Sequence, residues 1–234
     1  MEANQEQLAA DIVRDALGRG ATDAECIISE GDEFSVNVRM KEVENLKEAG
    51  SKGAGLRVMV GRRTGSAYTS DLTPAGINAM IRSALDLAVV TTEDPHAGLP
   101  EESELGRLDT DLQLMHSDIG ELDTEEKIAL ARQAEEAALS FDTRISNSEG
   151  SSFDSMIGHQ VFANSRGFVG SYGGTRCSIS VIPVAREGDS MERDYWFSAA
   201  RSAGKLESPE MVGRTAAGRA VRRLNARKVT TRKV

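Results

Sequence analysis

The chain has 234 residues, enough for one large or two modest domains, and its 39% hydrophobic content is lean but adequate for a globular core. No apolar run approaches the roughly 18 residues that a membrane-spanning helix needs. The net charge of −9 is uneven: residues 201–234 carry +8 and the remainder −17, a balance that repels phosphates over most of the molecule.

The N-terminal "MEANQEQLAADIV" is acidic and lacks the basic-then-apolar order of a signal peptide. Residues 4–18 read as a helix, with Leu8, Ile12, Val13, Ala16 and Leu17 on one face and Gly18 and Gly20 ending it. The period then changes. "AECIISEGDEFSVNVRMKEVENLKEAG" alternates in short runs, with Phe34, Val36, Val38 and Met40 pointing one way. "LRVMVGRRTGSAYTSDL" repeats the pattern, punctuated by Gly61 and Gly65. Thr73 and Pro74 then supply an N-cap and a first helical residue for "TPAGINAMIRSALDLAVV". Residues 1–91 therefore form an α+β unit of order α-β-β-β-β-α.

Residues 92–121 form an acidic connector with little periodicity. A second α+β unit occupies 122–234. Asp123 or Thr124 caps a helix that buries Ile128, Ala131, Ala134 and Ala138. Strands follow at 143–147, 152–164, 167–183 and 192–201. Pro209 opens a basic helix over 209–226, with Val212, Ala216, Ala220, Val221 and Leu224 inward. The fold class is thus α+β, two successive helix–antiparallel sheet–helix units.

Catalytic patterns are scarce. His96, His116 and His159 form no His-Glu-x-x-His and pair with no other ligand at metal spacing. His159 and Asp154, five residues apart on one strand, point to opposite faces. "GSKGAGLRV" is followed by a strand rather than a helix, so it reads as a flexible connection between strands and not a phosphate cradle. There is no Gly-x-Ser-x-Gly elbow. Cys26 and Cys177 lack redox or metal spacing and read as ordinary strand residues in a reducing cytoplasm. The basic tail could contact nucleic acid, but it has no DNA-binding motif, and lying against the acidic body or an acidic partner explains it better. An α+β sheet can also take an extended peptide along an edge. "EGDEFSVNVRMKEVENLKE" is charged enough to be a protected edge instead.

The stretch "MERDYWFSAAR" gathers three of the chain's few aromatic residues. Alternation puts Asp194, Trp196 and Ser198 on one face and Arg193, Tyr195, Phe197 and Ala199 on the other. The expectation is that Tyr195 and Phe197 fill the core, with Trp196 facing a partner or domain border. Arg193 and Arg201, near the strand ends, could meet a partner carboxylate.

In order along the chain, "GAGLRVMVGRRTGSAYTSDL", "DPHAGLP", "RISNSEGSSF", "ANSRGFVGSY", "MERDYWFSAAR" and "VGRTAAGRAVRRLNARKVTT" together resemble the TldD/PmbA family, most closely its PmbA (TldE) branch. The resemblance implies a cytoplasmic heterodimeric TldD/TldE metallopeptidase that trims leader peptides and degrades unfolded peptides. It also implies that the family's older label, modulator of DNA gyrase, denotes no DNA contact. The family's zinc motif, His-Glu-x-x-x-His, belongs to the TldD branch and does not occur in this sequence. The resemblance therefore implies a noncatalytic subunit without its own cofactor, zinc being held by a TldD-like partner. Family chains run on past the equivalent of Val234 into a β-rich C-terminal domain that is absent here. A fragment, a split gene and a natural short form all fit. The candidate partner or domain contacts are Arg193, Trp196, Arg201, Val212, Val221 and Leu224. Exposure of the last three would drive self-association or a homodimer. The expected partners are a TldD-like subunit and, through the complex, an extended peptide, with neither nucleic acid nor membrane. The competing expectation is a stand-alone peptide-binding or assembly module.

Overall fold

The computed structural model describes residues 2–106 and 110–231. Helices α1 (Glu2–Gly18) and α2 (Pro74–Val90) bracket strands β1 (Asp23–Arg39), β2 (Glu42–Val60) and β3 (Arg63–Thr69). The short helix α3 (Asp118–Glu121) and α4 (Thr124–Leu139) precede β4 (Ile145–Asn164), β5 (Val169–Glu187), β6 (Ser190–Arg193), β7 (Trp196–Ala200) and α5 (Pro209–Arg223). This is the expected mixture of helices and antiparallel strands in helix–sheet–helix order. The strands pair in the order β3-β2-β1-β4-β5-β6, and β7 pairs with β5 beside β6.

Helix starts follow local chemistry. The Thr73 hydroxyl accepts the Gly76 N–H at 3.3 Å, ahead of Pro74. Asp123 and Glu126 form a reciprocal capping box, each side chain accepting the other's backbone N–H at 2.8 Å. Ser208 caps α5 ahead of Pro209.

Strand lengths differ from the sequence expectation. "GSKGAGLRV" lies inside the continuous β2 rather than connecting two strands. The runs 143–147 and 152–164 merge into β4. The run 192–201 instead breaks into β6 and β7, where the Asp194 carboxylate takes the Tyr195 N–H at 2.8 Å. Met40 does not continue the buried series Phe34, Val36, Val38. It and Lys41 adopt left-handed φ values of 49° and 71° and close a two-residue hairpin between β1 and β2.

The chain divides into two compact units, and neither is one continuous stretch. The first comprises residues up to Asp32, Gly50–Leu114 and Gly158–Gly174; the second comprises Glu33–Ala49, Met115–Ile157 and Thr175–Val234. Strands β1, β2, β4 and β5 each contribute residues to both units.

In the first unit, Ile12, Val13 and Ala16 of α1 and Met80, Ile81 and Ala84 of α2 pack with Cys26, Ile28, Leu56 and Val58 of the sheet. A Cβ on Gly65 would lie 2.0 Å from the Ala84 carbonyl oxygen, so only glycine lets β3 approach α2 this closely. In the second unit, α4 and α5 pack through Ala134, Ala138, Ala216 and Ala220 onto Ile145, Ile179 and Val181. Phe34, Val36, Val38 and Phe153 form a neighbouring cluster with Ile119, Ile128 and Ala131.

Candidate functional site

Within the second unit, β5 alternates cleanly. Cys177, Ile179, Val181 and Ala185 are buried on the helix side, while Arg176, Ser178, Ser180, Ile182 and Val184 are at least partly exposed on the opposite face. Ser35 Oγ donates to Asp154 Oδ1 at 2.6 Å, Ser152 Oγ donates to Asp154 Oδ2 at 3.0 Å, and Ser152 and Ser180 hydroxyls lie 3.0 Å apart. These contacts make a hydroxyl–carboxylate chain across β1, β4 and β5.

The rim of this face comes from β6 and β7. Phe197 stands opposite Ser180 and Trp196 opposite Val181. Trp196 therefore turns toward α5, and Tyr195 and Phe197 turn away from it. The two-face alternation expected from the sequence is present, but the faces are exchanged. Tyr195 and Phe197 do not fill the core: they are 53% and 52% exposed, with stacked rings 6.3 Å apart. The helices cover the other side of the sheet, and only that side demands large apolar groups. Met191 adds a 66% exposed side chain near them. A cavity of about 790 Å³ opens here, lined by Arg39, Glu149, Ile182, Val184, Arg193 and Tyr195 among others.

Trp196 is half-buried against the α4–α5 core. Its indole N–H donates to Glu207 at 3.1 Å, and the Arg219 guanidinium lies 5.4 Å above its ring. Beside it, Arg219 donates to Asp194 at 3.1 Å and Arg223 stands 3.6 Å from the same carboxylate. Desolvation pushes the Asp194 pKa up, but the Tyr195 N–H, Arg219 and Arg223 outweigh it and hold the carboxyl below its ordinary value.

Of the other expected contacts, Arg193 pairs with Glu149 on the exposed face. Arg201 folds back onto β5, its guanidinium 3.5 Å from the Thr175 carbonyl oxygen. Val212 is completely buried in the chain's own core, and Val221 and Leu224 are partly buried against it. The exposed apolar stripe expected of these three therefore does not form, because α5 seats it on the sheet. The structure brings Arg193 and Trp196 to neighbouring strand ends on opposite faces and leaves Arg201 apart from both.

Sequence reasoning missed two polar anchors. Glu135 is fully buried on α4 and accepts the Met40 and Lys41 N–H groups at 2.9 and 2.7 Å. Its place in the series 128, 131, 135, 138 was the available signal. Asp118 accepts the Ser202 hydroxyl at 2.7 Å and the Gly204 N–H at 3.1 Å. The Ser202 bond is the main cause holding its pKa below the ordinary value, against desolvation. Cys26 and Cys177 are free and buried, and burial pushes their thiols up to about 12 and about 11. Among the described residues, no group of three or more His, Cys, Asp or Glu is placed to hold a metal ion.

The PmbA/TldA metallopeptidase domain 1 matches residues 24–88, and the central domain of the same family matches residues 117–224. The chain belongs to the PmbA/TldD metallopeptidase family. It is 40% identical over 218 residues to the metalloprotease PmbA of Escherichia coli O157:H7, covering 93% of this chain and 48% of that one. It is 34% identical over 236 residues to a Haemophilus influenzae PmbA homolog, covering 100% of this chain and 52% of that one. The chain thus spans about half the length of these PmbA relatives. A crystal structure of a putative modulator of DNA gyrase from Bacteroides thetaiotaomicron matches with a TM-score of 0.88 at 26% identity, over 97% of this chain and 51% of that one. TldE from Thermococcus kodakarensis shares the fold with a TM-score of 0.78 at 15% identity, over 92% of this chain and 47% of that one. No helix among the described residues is long and apolar enough to cross a membrane.

Proposed function

We propose that this chain is the N-terminal part of a TldE-like, noncatalytic subunit of a cytoplasmic heterodimeric zinc metallopeptidase that processes leader peptides and unfolded peptides. In this reading it docks a TldD-like subunit that holds the zinc, and it shapes the space through which an extended peptide reaches that metal. The PmbA relatives supply the peptidase context. The observation that carries the docking role is the exposed Tyr195–Phe197 stack with Met191, on the sheet face turned away from α4 and α5. Exposed aromatic and Met clusters of this kind are characteristic of interface anchors.

The test is coexpression of the tagged chain with a TldD-like subunit, followed by affinity copurification, zinc analysis and a peptide-cleavage assay. A Y195D/F197D variant should stay folded and lose about tenfold or more of the captured partner, because two exposed apolar anchors are replaced by charges. Failure of the wild-type chain to capture the partner, or equal capture and cleavage with the variant, overturns the reading. Failure of capture would favour a stand-alone peptide-binding or assembly module.

A further inference from the structure

Strand β5 pairs with β6 and β7 in one unbroken register. Val184 stands opposite Arg193 and Val181 opposite Trp196, so the offset is the same on both sides of Asp194 and no bulge intervenes. The turn between β5 and β6 fixes which main-chain groups are used. It is a two-residue hairpin, Gly188 and Asp189, with Gly188 at a left-handed φ of 60°. Glu187 and Ser190 close it and exchange both main-chain bonds. Odd-numbered residues of β5 therefore bond toward β6 and β7, and even-numbered ones toward β4. Three contacts outside this ladder agree. The Arg186 N–H donates to the Arg144 carbonyl oxygen, the Ser151 hydroxyl donates to the Ser180 carbonyl oxygen, and Arg201 approaches the Thr175 carbonyl oxygen from the β7 side.

On β7, Trp196, Ser198 and Ala200 consequently bond inward, and the main-chain groups of Tyr195, Phe197 and Ala199 point out of the sheet. The Asp194 carboxylate takes the Tyr195 N–H. Among the described residues, no strand lies beyond β7 to take the Tyr195 carbonyl or the N–H and C=O groups of Phe197 and Ala199. Such edges are ordinarily blunted by Lys, Pro or a bulge. The β7 sequence, Trp-Phe-Ser-Ala-Ala, carries no charge and no proline.

Its side chains alternate in a way that complements itself. With a second copy antiparallel and Phe197 on the two-fold axis, Tyr195 faces the copy's Ala199, Trp196 faces its Ser198, and the two Phe197 rings meet. Each large group then meets a small one. Arg193 and Arg201 oppose each other only beyond the strand ends, where Glu149 already matches Arg193. Centring the pair on Tyr195 instead needs the N–H that Asp194 occupies.

We propose that two copies of this chain pair through the outer edges of β7, antiparallel about Phe197, and join their sheets. Each Phe197 N–H donates to the other copy's Phe197 carbonyl, and each Ala199 N–H to the other copy's Tyr195 carbonyl. The contact is isologous, so it closes at two copies and does not propagate. This goes beyond docking of a TldD-like subunit and does not rest on it. Dimerisation is read on the chain alone, whereas capture is read with the partner present.

The test is sedimentation velocity of the 234-residue chain over a concentration series, with two variants. The wild-type chain should reach about twice the mass of the A199P variant, because proline removes an outward N–H at an edge that tolerates it. F197D should also be monomeric, and circular dichroism should be unchanged for both. Mild oxidation reads the register. F197C should form a covalent dimer, since the two thiols meet on the axis, and A199C should not, since it faces Tyr195. Cys26 and Cys177 are buried, so the wild-type chain should give no cross-link. A monomeric wild-type chain, a dimer that survives either folded variant, or cross-linking of A199C equal to that of F197C would each overturn the proposal.

Discussion

Single side chains settle several features that composition leaves open. Glu135 is the clearest. A buried carboxylate normally faces a cation, yet this one accepts two backbone N–H groups of a left-handed turn. It thereby holds the β1–β2 hairpin to α4. Hydrogen bonds to a charged acceptor contribute about 1.5–3 kcal/mol. Glu135→Ala should lower the unfolding free energy by about 1–3 kcal/mol in urea titrations, with Glu135→Gln falling between the two because it keeps one acceptor oxygen. An unchanged midpoint for the alanine variant would remove the clamp from the stability of the fold. The two thiols give a second prediction at this scale. Burial raises the Cys26 thiol from 9.0 to about 12 and the Cys177 thiol to about 11, so almost no thiolate is present in the folded chain at pH 8. A disulfide reagent should titrate no fast thiol in the native protein and two in guanidinium. The sign of the linkage follows. Above pH 9 the unfolded chain loses thiol protons that the folded chain keeps, so stability should fall as pH rises from about 9 toward 12. A pH-independent unfolding midpoint across that range would contradict it.

Among the elements, helix–helix contact through small residues distinguishes two glycines of α5. A Cβ at Gly213 would stand 2.2 Å from the Ala134 carbonyl oxygen, where α5 meets α4. At Gly218 the nearest atom is the Phe141 ring at 3.4 Å, which is ordinary contact. Gly213→Ala should therefore destabilise by about 1–3 kcal/mol through overpacking. Gly218→Ala should stabilise by about 0.5–1 kcal/mol, because alanine loses less backbone freedom in a helix. Thermal midpoints moving the same way for both variants would contradict this assignment. The helices were also the most legible elements, since Thr73-Pro74, Asp123 with Glu126, and Ser208-Pro209 each carry their own start chemistry. Strand extents were less legible. Gly50, Gly53 and Gly55 look like punctuation in the sequence, but neighbouring strands hold their backbone in the ladder. Alternation identified the two faces of "MERDYWFSAAR" and could not say which one the helices cover. That choice belongs to α4 and α5, which lie far away along the chain, so Tyr195, Trp196 and Phe197 were sorted correctly and oriented wrongly. Val212 was legible as an inward residue, and its burial leaves nothing for an exposed stripe.

At the scale of the whole molecule, the separation of +8 in residues 201–234 from −17 elsewhere invites a nucleic-acid reading. The structure shows where part of that positive charge goes. Arg219 and Arg223 turn onto Asp194, and Arg223 also lies 3.5 Å from Glu192. Arg214 sits 5.7 Å over the Phe141 ring and 3.7 Å from Glu210. Arg201 addresses a backbone carbonyl. These cations hold α5 to its own unit, and a phosphate would have to displace carboxylates to reach them. Each exposed pair contributes only about 0–1 kcal/mol. The obstacle to a polyanion is therefore the loss of several such contacts together with repulsion from the acidic remainder. Labelled duplex DNA should accordingly show no saturable anisotropy change with the chain at 150 mM salt, and any signal at 50 mM should vanish on modest salt addition as a weak nonspecific contact would. Tight binding that persists at 150 mM, with a log–log salt slope corresponding to six or more phosphate contacts, would mean that the α5 cations are available after all.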